Sequence, residues 1–488
     1  MKKNILILLI ILFNLAFYSC KKSEIPATEN EQINLFIWRG LNTYYLWQNK
    51  VSDLSDNRFS YKSQVYNYFK GYPSPKDVFE SLLYQKDVID RFSWIVDDYI
   101  ALENSFQGIT LNSGMEFGLV RYASNPSSVF GYVRYVIPNS DAEFKGITRG
   151  MIFNTVDGTQ ITEDNFRELL FNNSSNYTIG FANYNNGNPT SNGIEISLIK
   201  SQLQENPIAI AKVITEGVHK IGYLLYNQFS SSYDEQLNNT FAYFRSEGIT
   251  ELIIDLRYNG GGSVSTTTYL ASMITGQFTG EIFSKQIWNQ KIMDVIEADR
   301  FNNLFTNKIA TGSTNININS LQMTKVYFIV SNRSASASEL IINGLKPYVD
   351  VKLVGKQTYG KYVGSVTLYD SDDFSRNGEN LNPNHTWAMQ PIVLEIKNKL
   401  NENQPQGIIP EIDLAENYGN LGVLGEVSDP LLARTITYIT TGARISTTPS
   451  IELEEISDSK IVLPTSNNMY IHFPKDNFNK KFINIIIE

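Results

Sequence analysis

Three serines alternate with alanine in the segment SASAS, directly after a run of residues that predicts a strand; they are Ser334, Ser336 and Ser338. A serine hydroxyl is a weak nucleophile until a neighbouring base removes its proton. The chain has three histidines, none in this segment and none with an obvious acidic partner nearby in sequence: His219, His385 and His472. This disfavours a Ser-His-Asp arrangement and raises the question of which other base could act.

A lysine can serve as that base if it is neutral when the serine attacks. The free amine has a pKa near ~10.4, and burial without a carboxylate partner lowers it. Lys361 is flanked by Tyr359, Tyr362 and Val363, whereas Lys356 has less apolar cover in sequence. From the residues alone, either lysine could instead be a solvated surface residue.

A glycine run, RYNGGGS at residues 257–263, could bind a developing negative charge. Glycines let backbone N–H groups approach a substrate closely, as an oxyanion hole requires. A phosphate-binding loop would need Gly-Lys-Ser/Thr at its end, which is absent here. A purely structural glycine turn remains an alternative.

These motifs follow predicted buried strands. The runs ELIIDLR, KVYFIVSN and VKLVG carry few charges and end just before residues 257–263, 331–338 and 356–361. They alternate with segments of helical pattern, such as residues 234–247, which predicts a largely parallel sheet covered on its faces. Because ligands of such sheets bind at the carboxyl ends of the strands, all three motifs lie where a site is expected.

The 488 residues suggest several domains, so the fold class is predicted to be multidomain α+β. We expect an N-terminal helical domain at residues 31–107, where Ile33, Phe36, Ile37 and Leu41 have helical spacing, and a β-rich domain at residues 108–205. An α/β core is expected at residues 212–438, followed by an extension without an assigned role at residues 439–488. Residues 277–324, rich in Asn and Thr, are predicted to be an insertion in the core.

The composition is that of a soluble globular protein, with 42% hydrophobic and 19% charged residues. The net charge of −9 argues against a nucleic-acid partner. With a single cysteine, Cys20, the chain can form no internal disulfide and no cysteine-based metal site.

Residues 1–20 have the pattern of a secretory signal peptide: two lysines, a short apolar run, and Ser19 before Cys20. This pattern resembles that of bacterial lipoproteins, which implies lipidation of Cys20 and an anchor on a membrane of the cell envelope, on the periplasmic or the surface face. Residues 21–30 are predicted to be a linker. A cleaved signal with an incidental cysteine is the alternative.

The middle segment resembles a PDZ domain in its order of strands, short helix, tight turn at residues 157–158 and second helix at residues 162–170. In that family a loop binds the carboxylate of a peptide that adds as a strand. The loop would fall at residues 115–118, which assigns peptide binding to Met115, Phe117 and Gly118. Glu116 departs from the pattern, because its charge opposes carboxylate capture. A β-rich spacer domain is the alternative.

The motifs DLRYNGGG, SASASEL and GKQTYGK, in this order after a PDZ-like segment, resemble those of the C-terminal processing peptidases, also called tail-specific proteases. The resemblance covers roughly residues 108–435. It implies a Ser-Lys serine protease with a ClpP/crotonase-like α/β core and no metal or other cofactor. The expected substrate is a protein or peptide with a flexible C-terminus.

The resemblance also assigns roles to individual residues. Ser336 corresponds to the nucleophile, and Lys361, twenty-five residues later, to the general base. Glu339 matches a glutamate that assists the pair, although an acid in the first helical turn also favours a helix. The oxyanion N–H groups correspond to Gly261 and Ala337. Ser365 stands where the family often has glutamine, four residues after the lysine.

Further expectations concern the neighbouring side chains. Ser334 is predicted to cap a helix or turn, Ser338 to face away from the pair, and Thr358 to be within hydrogen-bonding reach of Lys361. In an active arrangement, Lys361 Nζ should lie within about 3–4 Å of Ser336 Oγ.

Two other functions remain open from the sequence. The first is a non-catalytic peptide-binding lipoprotein that keeps the protease core as a scaffold. The second is a glycan- or nutrient-binding surface lipoprotein, which the aromatic content of 12% allows. The presence of both Ser336 and Lys361 argues for catalysis.

Overall fold

The chain forms a helical N-terminal region followed by large sheets with helices packed on them. The structure is a computed structural model that describes residues 27–172, 174–311, 314–444, 453–461, 463 and 465–471. The predicted mixed α+β multidomain fold with an N-terminal helical region is therefore confirmed. The predicted signal peptide with Cys20, and His472, lie outside the described residues.

The N-terminal domain contains four helices and one short strand: α1 Glu29–Tyr44, α2 Lys62–Phe69, α3 Pro75–Ser81, β1 Trp94–Val96 and α4 Tyr99–Phe106. Helix α1 begins inside the segment predicted as a linker, because Thr28 and Glu31 form a capping box at its start. Its apolar face, with Ile33 and Ile37, is fully buried.

The middle domain contains an antiparallel sheet of β3 to β8, a separate antiparallel pair of β2 and β9, and two short helices. Its elements are β2 Ile109–Asn112, β3 Met115–Arg121, β4 Val129–Val136, α5 Asp141–Phe144, β5 Ile152–Val156, β6 Thr159–Gln160, α6 Phe166–Phe171, β7 Asn176–Asn183, β8 Thr190–Ile199 and β9 Ser201–Gln204. Helix α6 starts later than expected, because Thr162 and Asn165 exchange hydrogen bonds in a turn. Residues 115–118, predicted as a loop, instead begin strand β3, which pairs with β4 along its whole length.

The core contains most of the remaining elements: β10 Ile208–Glu216, β11 His219–Tyr226, α7 Asp234–Glu247, β12 Glu251–Asp255, β13 Gly262–Ser263, α8 Val264–Thr275, β14 Ile282–Trp288, α9 Gln290–Met293, β15 Asn302–Leu304, β16 Lys308–Thr311, β17 Thr314–Asn317, β18 Lys325–Val330, α10 Ala337–Leu345, β19 Asp350–Gly355, β20 Val363–Ser365, β21 Leu368–Tyr369, β22 Ala388–Gln390, β23 Ile392–Asn398, β24 Ile412–Asp413 and α11 Pro430–Thr441. Two strands follow near the C-terminus: β25 Glu455–Asp458 and β26 Met469–Tyr470.

The first core sheet has the order β10-β11-β12-β18-β19-β24, and all its pairings except β10 with β11 are parallel. Side chains alternate between two apolar cores, so that Ile254 and Phe328 face one and Ile253 and Ile329 the other. Burial on both faces explains why these strands carry few charges.

The second core sheet has the order β13-β26-β20-β23-β14-β15. Strand β14 lies within residues 277–324 and pairs with five residues of β23. That segment is therefore not only an insertion, because it supplies a strand of the core.

The C-terminal extension, for which the sequence indicated no role, joins two sheets. Strand β25 pairs with β3 of the middle domain, and β26 lies between β13 and β20 of the core. The extension therefore reaches both the middle domain and the part of the core that follows the glycine run.

Candidate active site

Ser336 lies directly before helix α10 and is fully buried. Its backbone has φ +66° and ψ −114°, in a region that non-glycine residues rarely adopt. Strain of this kind is concentrated at functional sites, where the surrounding structure holds it in place. Among the described residues, Ser336 Oγ has no hydrogen-bond partner.

The glycine run packs directly against Ser336. A Cβ atom built on Gly261 would lie 2.7 Å from the Cβ of Ser336, so only glycine fits at this position. Gly261 and Gly262 have φ of +116° and +138°. The run is anchored by the fully buried Arg257, whose guanidinium pairs with Asp255 at 2.7 Å.

The predicted oxyanion donors both lie beside Ser336. Ala337 is the first residue of α10, so its N–H belongs to the helix N-terminus. The N–H of Gly261 donates to Asn259 Oδ1 at 2.8 Å in this conformation. That bond would have to be shared or released for Gly261 to bind an oxyanion, and the role of both donors stays a prediction.

Glu339 connects the two predicted catalytic residues. Its Oε2 accepts from the backbone N–H of Ser336 at 2.9 Å and from that of Lys361 at 2.8 Å. Its Oε1 accepts from Thr358 Oγ1 at 2.6 Å and from the N–H of Gly360 at 2.7 Å. Burial raises the pKa of Glu339, and these four donors oppose that rise. The contacts link Glu339 to the backbones of both residues, its assisting role stays a prediction, and Thr358 bonds to it rather than to the lysine amine.

Lys361 is 2% exposed. Burial lowers the pKa of its amine to about 7, while the nearby carboxylates of Asp90 and Glu339 act in the opposite direction. Phe92 lies 4.8 Å from Nζ and shields it. Lys356, by contrast, pairs with Asp413 at 3.0 Å with its side chain partly exposed. Burial thus distinguishes the two candidate lysines in favour of Lys361.

The expected hydrogen bond between Ser336 and Lys361 is not formed. Lys361 Nζ instead donates to the carbonyl oxygen of Asn467 at 2.7 Å and approaches Asn468 Oδ1 at 3.5 Å. The amine is held by the C-terminal extension, which lies outside every motif used to predict the site.

Ser365 takes part in a polar cluster beside the lysine. Its Oγ donates to Gln390 Oε1 at 2.5 Å and approaches Asn468 Oδ1 at 3.0 Å, and Asn468 Nδ2 donates to Gln390 Oε1 at 3.1 Å. A buried glutamine therefore lies here, supplied by β22 rather than by the position four residues after the lysine. Sequence reasoning missed Gln390 and Asn468; the unusual Ser365 was the only signal for them.

The other two serines of the alternating run have structural contacts. Ser334 Oγ donates to the carbonyl oxygen of Leu256 at 2.8 Å and accepts from the N–H of Ser331 at 3.0 Å, so Ser334 is a turn residue and caps no helix. Ser338 Oγ donates to the carbonyl oxygen of Asn259 at 2.9 Å and supports the glycine run.

The described histidines pair with acids away from Ser336. His385 Nε2 lies 3.0 Å from Asp370 Oδ2, and its ring packs near Phe36 of the N-terminal domain. His219 lies 3.7 Å from Glu251 at the start of two strands. Neither histidine contacts Ser336 Oγ.

The residues predicted to bind peptide form the first half of β3. Met115 and Phe117 are buried, and Gly118 pairs with Asp458 of β25. Glu116 is also buried, and burial raises its pKa. The edge of β3 is thus occupied by a segment of the same chain, and the peptide-binding role of these residues stays a prediction.

In the described part of the chain, no helix is long and apolar enough to cross a membrane. Nor do three or more His, Cys, Asp or Glu side chains there group in a way that could hold a metal ion.

Comparisons with known proteins agree with the motifs. Residues 220–390 match the sequence model described as Peptidase family S41, and residues 32–94 match the Peptidase S41 N-terminal domain. The chain is thus similar to peptidase family S41 both in its N-terminal region and in its core.

Two curated relatives have similar sequences. The chain is 24% identical over 306 residues to the "C-terminal processing peptidase, chloroplastic" of Tetradesmus obliquus, which covers 60% of each protein. It is 25% identical over 171 residues to the "Probable CtpA-like serine protease" of Staphylococcus epidermidis, covering 35% of this chain and 31% of the relative. The matches thus span between about a third and three fifths of these relatives.

The fold is shared with a solved structure from Bacteroides fragilis NCTC 9343, a protein named as an S41 protease candidate. The two superpose with a TM-score of 0.63 and 21% sequence identity, over 86% of this chain and 100% of the other. At this identity the likeness shows the fold. The ClpP/crotonase-like type of the core stays a prediction.

Proposed function

We propose that this protein is a serine endopeptidase that cleaves polypeptides near their C-termini, with Ser336 as nucleophile and Lys361 as general base. The observation that carries the proposal is a buried amine with a pKa of about 7, tied through Glu339 to a serine at the start of a helix. A lysine with an ordinary pKa would be protonated at neutral pH and could accept no proton.

In the proposed reaction, Ser336 Oγ attacks the carbonyl carbon of the scissile peptide bond while the neutral Lys361 amine takes its proton. The tetrahedral intermediate collapses when Lys361 gives that proton to the leaving nitrogen, and an acyl-enzyme remains. Water then attacks the ester with Lys361 again as base, which restores the serine. No step of this reaction requires a metal or a cofactor.

The negative oxygen of each intermediate would be stabilised by backbone N–H groups near Ser336. Ala337 at the start of α10 and the glycines of β13 and the preceding turn are the nearest candidates. Donors fixed in advance of the reaction are worth about 10²–10³ in rate each.

The preference for C-termini rests on the family and on the middle domain. One relative is named a C-terminal processing peptidase, and the edge of β3 that β25 occupies in this structure is one to which an extended strand can add. We propose that this edge holds the flexible tail of a protein substrate while an adjoining segment reaches Ser336.

The location in the cell envelope is a separate proposal. It rests on residues 1–20, where the apolar run ends before Cys20. Lipidation at Cys20 would be tested by metabolic labelling with a fatty acid analogue, with Cys20→Ser as the control; equal labelling of both proteins would refute it.

Replacement of Ser336 by alanine tests the proposed function. Against a reduced and alkylated unfolded protein, Ser336→Ala should lose at least about 10³-fold in kcat/KM while keeping its melting temperature. Mass spectrometry of the wild-type products should show cuts concentrated near the substrate's C-terminus. Equal cleavage by the variant and the wild type would show that Ser336 is not the nucleophile.

A further inference from the structure

The C-terminal strap, which we define as the described residues within 453–471, follows a path across two domains. Strand β25 adds antiparallel to the edge of β3, with Ser457 opposite Leu119 and Asp458 opposite Gly118. Ser459 continues the pairing, since its N–H donates to the carbonyl oxygen of Phe117 at 3.0 Å. The strap thus uses the edge that an added peptide strand would use.

Farther along, the strap crosses the predicted catalytic residues. The Asn467 carbonyl oxygen accepts from Lys361 Nζ at 2.7 Å. The carbonyl oxygen of Asn468 lies 2.6 Å from the position of a Cβ built on Gly261, and that same position is 3.0 Å from Ser336 Oγ. A substrate strand entering this site would meet the strap.

Strand β26 then lies between β13 and β20, parallel to both. One neighbour, β13, is the end of the glycine run, and the other, β20, follows Lys361. Because the glycine run packs against Ser336, the strap lies where a polypeptide cut at Ser336 would run beside both segments.

The backbone of the strap differs from that of an extended substrate at one point. Asn467 has φ +51°, in the left-handed region that asparagine tolerates. This turn directs its carbonyl oxygen to the lysine amine. The strap therefore withholds the base from Ser336, as an inhibitor would.

Charged side chains hold the strap at the junction of the middle domain and the core. Glu455 pairs with Arg134 and also with Arg333, the latter at 2.8 Å. Asp458 lies 3.4 Å from Arg134 and 3.3 Å from Arg333. All four side chains are 14% exposed or less, so the two arginines form a buried subsite for acidic residues.

A second subsite has the opposite charge. Lys460 Nζ pairs with Glu205 at 2.8 Å, and Glu116 accepts from Ser459 Oγ at 2.6 Å. Burial raises the pKa of Glu116, and Lys460 opposes this rise. The groove therefore presents two arginines and then two carboxylates to whatever lies along β3.

One feature distinguishes the strap from an optimised core strand. Ser457 is 1% exposed, yet its Oγ has no hydrogen-bond partner among the described residues. A buried hydroxyl without a partner destabilises the packed state. The strap is therefore held by its charged contacts more than by its packing against the edge of β3.

We propose that the C-terminal strap is a self-inhibiting ligand of the peptide groove, and that this groove takes extended polypeptides with two acidic residues three positions apart followed by a basic residue. The inference rests on the proposed peptidase function. The strap and a substrate with the same charge pattern compete for this groove, so the strap must leave for that substrate to bind.

Weakening the acidic contacts tests this directly in the full-length chain. The double variant Glu455→Gln/Asp458→Asn should raise kcat/KM on an unfolded protein about tenfold or more, because each tenfold gain in the open population needs only about 1.4 kcal/mol. Glu454→Gln is the matched control: Glu454 is 69% exposed, pairs with Arg121 and should leave the rate unchanged. A double variant with faster hydrogen exchange in the strap but unchanged or lower kcat/KM would overturn the inference.

A reversible disulfide between the strap and β3 provides a second test if the double variant folds poorly. Leu119→Cys/Ser457→Cys, made with Cys20→Ser, joins two residues that face each other in β3 and β25. The oxidised form should be at least about tenfold less active than the same protein after reduction. Equal activity of the oxidised and reduced forms would contradict the inference.

A peptide with the sequence of residues 453–471 separates this inference from the peptidase proposal. Added in excess to the wild type, it should speed hydrogen exchange of the strap, and a version with the Gln and Asn replacements should do so less. Hydrogen exchange is measured without catalysis, so it tests the self-inhibition proposal even if no variant cleaves any substrate. Absence of cleavage by every variant would refute the peptidase function alone. No change with the acidic peptide would overturn the inference.

Discussion

The surroundings of Ser336 and those of Lys361 are built in different ways. Ser336 lies among residues close to it in sequence or in a single motif: the glycine run at 257–263 and the start of α10. Lys361 is surrounded by residues from distant parts of the chain: Asp90, Phe92, Asn467 and Asn468. The position of the proposed nucleophile is therefore defined locally, whereas the properties of the proposed base depend on the whole fold.

The difference follows from what each residue needs. A nucleophile needs an exact backbone position, which a strand, a tight turn and a helix start provide over a few residues. A lysine base needs exclusion of water, which only packing of several segments provides. Changes around Ser336 should thus alter rates, and changes around Lys361 should alter the pH dependence of those rates.

The largest effect is expected when the lysine amine is replaced by a group that stays charged and cannot accept a proton. Lys361→Arg should reduce kcat/KM by at least about 10³-fold at every pH, because a guanidinium stays protonated. Lys356→Arg is the matched control, since that lysine forms a partly exposed ion pair with Asp413. Activity of the Lys361 variant above a tenth of the wild type would rule out the lysine as base.

A smaller loss is expected at the carboxylate that joins the two regions. Glu339→Gln replaces one acceptor oxygen by an NH2 group that faces N–H donors, so kcat should fall about 10–100-fold with KM nearly unchanged. Thr358→Val removes a single donor to Glu339, so its kcat should lie between that of Glu339→Gln and that of the wild type. Loss of folding in both, seen by circular dichroism, would show that Glu339 is needed for stability rather than for positioning.

The pH dependence of kcat/KM should follow the ionisation of Lys361. Because the pKa of Lys361 is lowered to about 7, kcat/KM of the wild type should rise through pH 7 and level off above about pH 8. The folded state binds fewer protons than the unfolded chain between pH 7 and about 10.5, so this group's unfavourable contribution to folding decreases as pH rises across that range. A profile that keeps rising to pH 10 would contradict a buried lysine base.

The smallest effect is expected from an exposed charge near the lysine. Arg91 lowers the pKa of Lys361, so Arg91→Gln should move the acidic limb of the profile upward by about 0.2–0.5 pH unit. Added salt should reduce the difference between the variant and the wild type. A downward shift would show that the sign of the interaction is wrong.

Much of the fold could be predicted from periodicity. The helix at residues 234–247 and the strands around ELIIDLR, KVYFIVSN and VKLVG follow from local patterns, and the structure has α7, β12, β18 and β19 there. The strand β14 could not be predicted in this way, because it is a short strand within a segment rich in Asn and Thr. Its partner β23 lies about a hundred residues later in the chain.

The candidate site divides along the same line. The chain positions of Ser336, Glu339 and Lys361 could be read from motifs, because their backbones are held by neighbours within about 25 residues. The contributions of Gln390, Asn467 and Asn468 could not, since they depend on pairings of β20, β22 and β26 that no local pattern encodes.

In the proposed reaction, a neutral Lys361 takes the proton of Ser336. The most direct test is the rate at which an activated ester acylates the full-length protein, measured against pH, with mass spectrometry to locate the acyl group. We expect modification of Ser336 with a rate that depends on a single ionisation near pH 7 and is lost in Lys361→Arg. Acylation of another residue, or a rate governed by an ionisation near pH ~10.4, would contradict it.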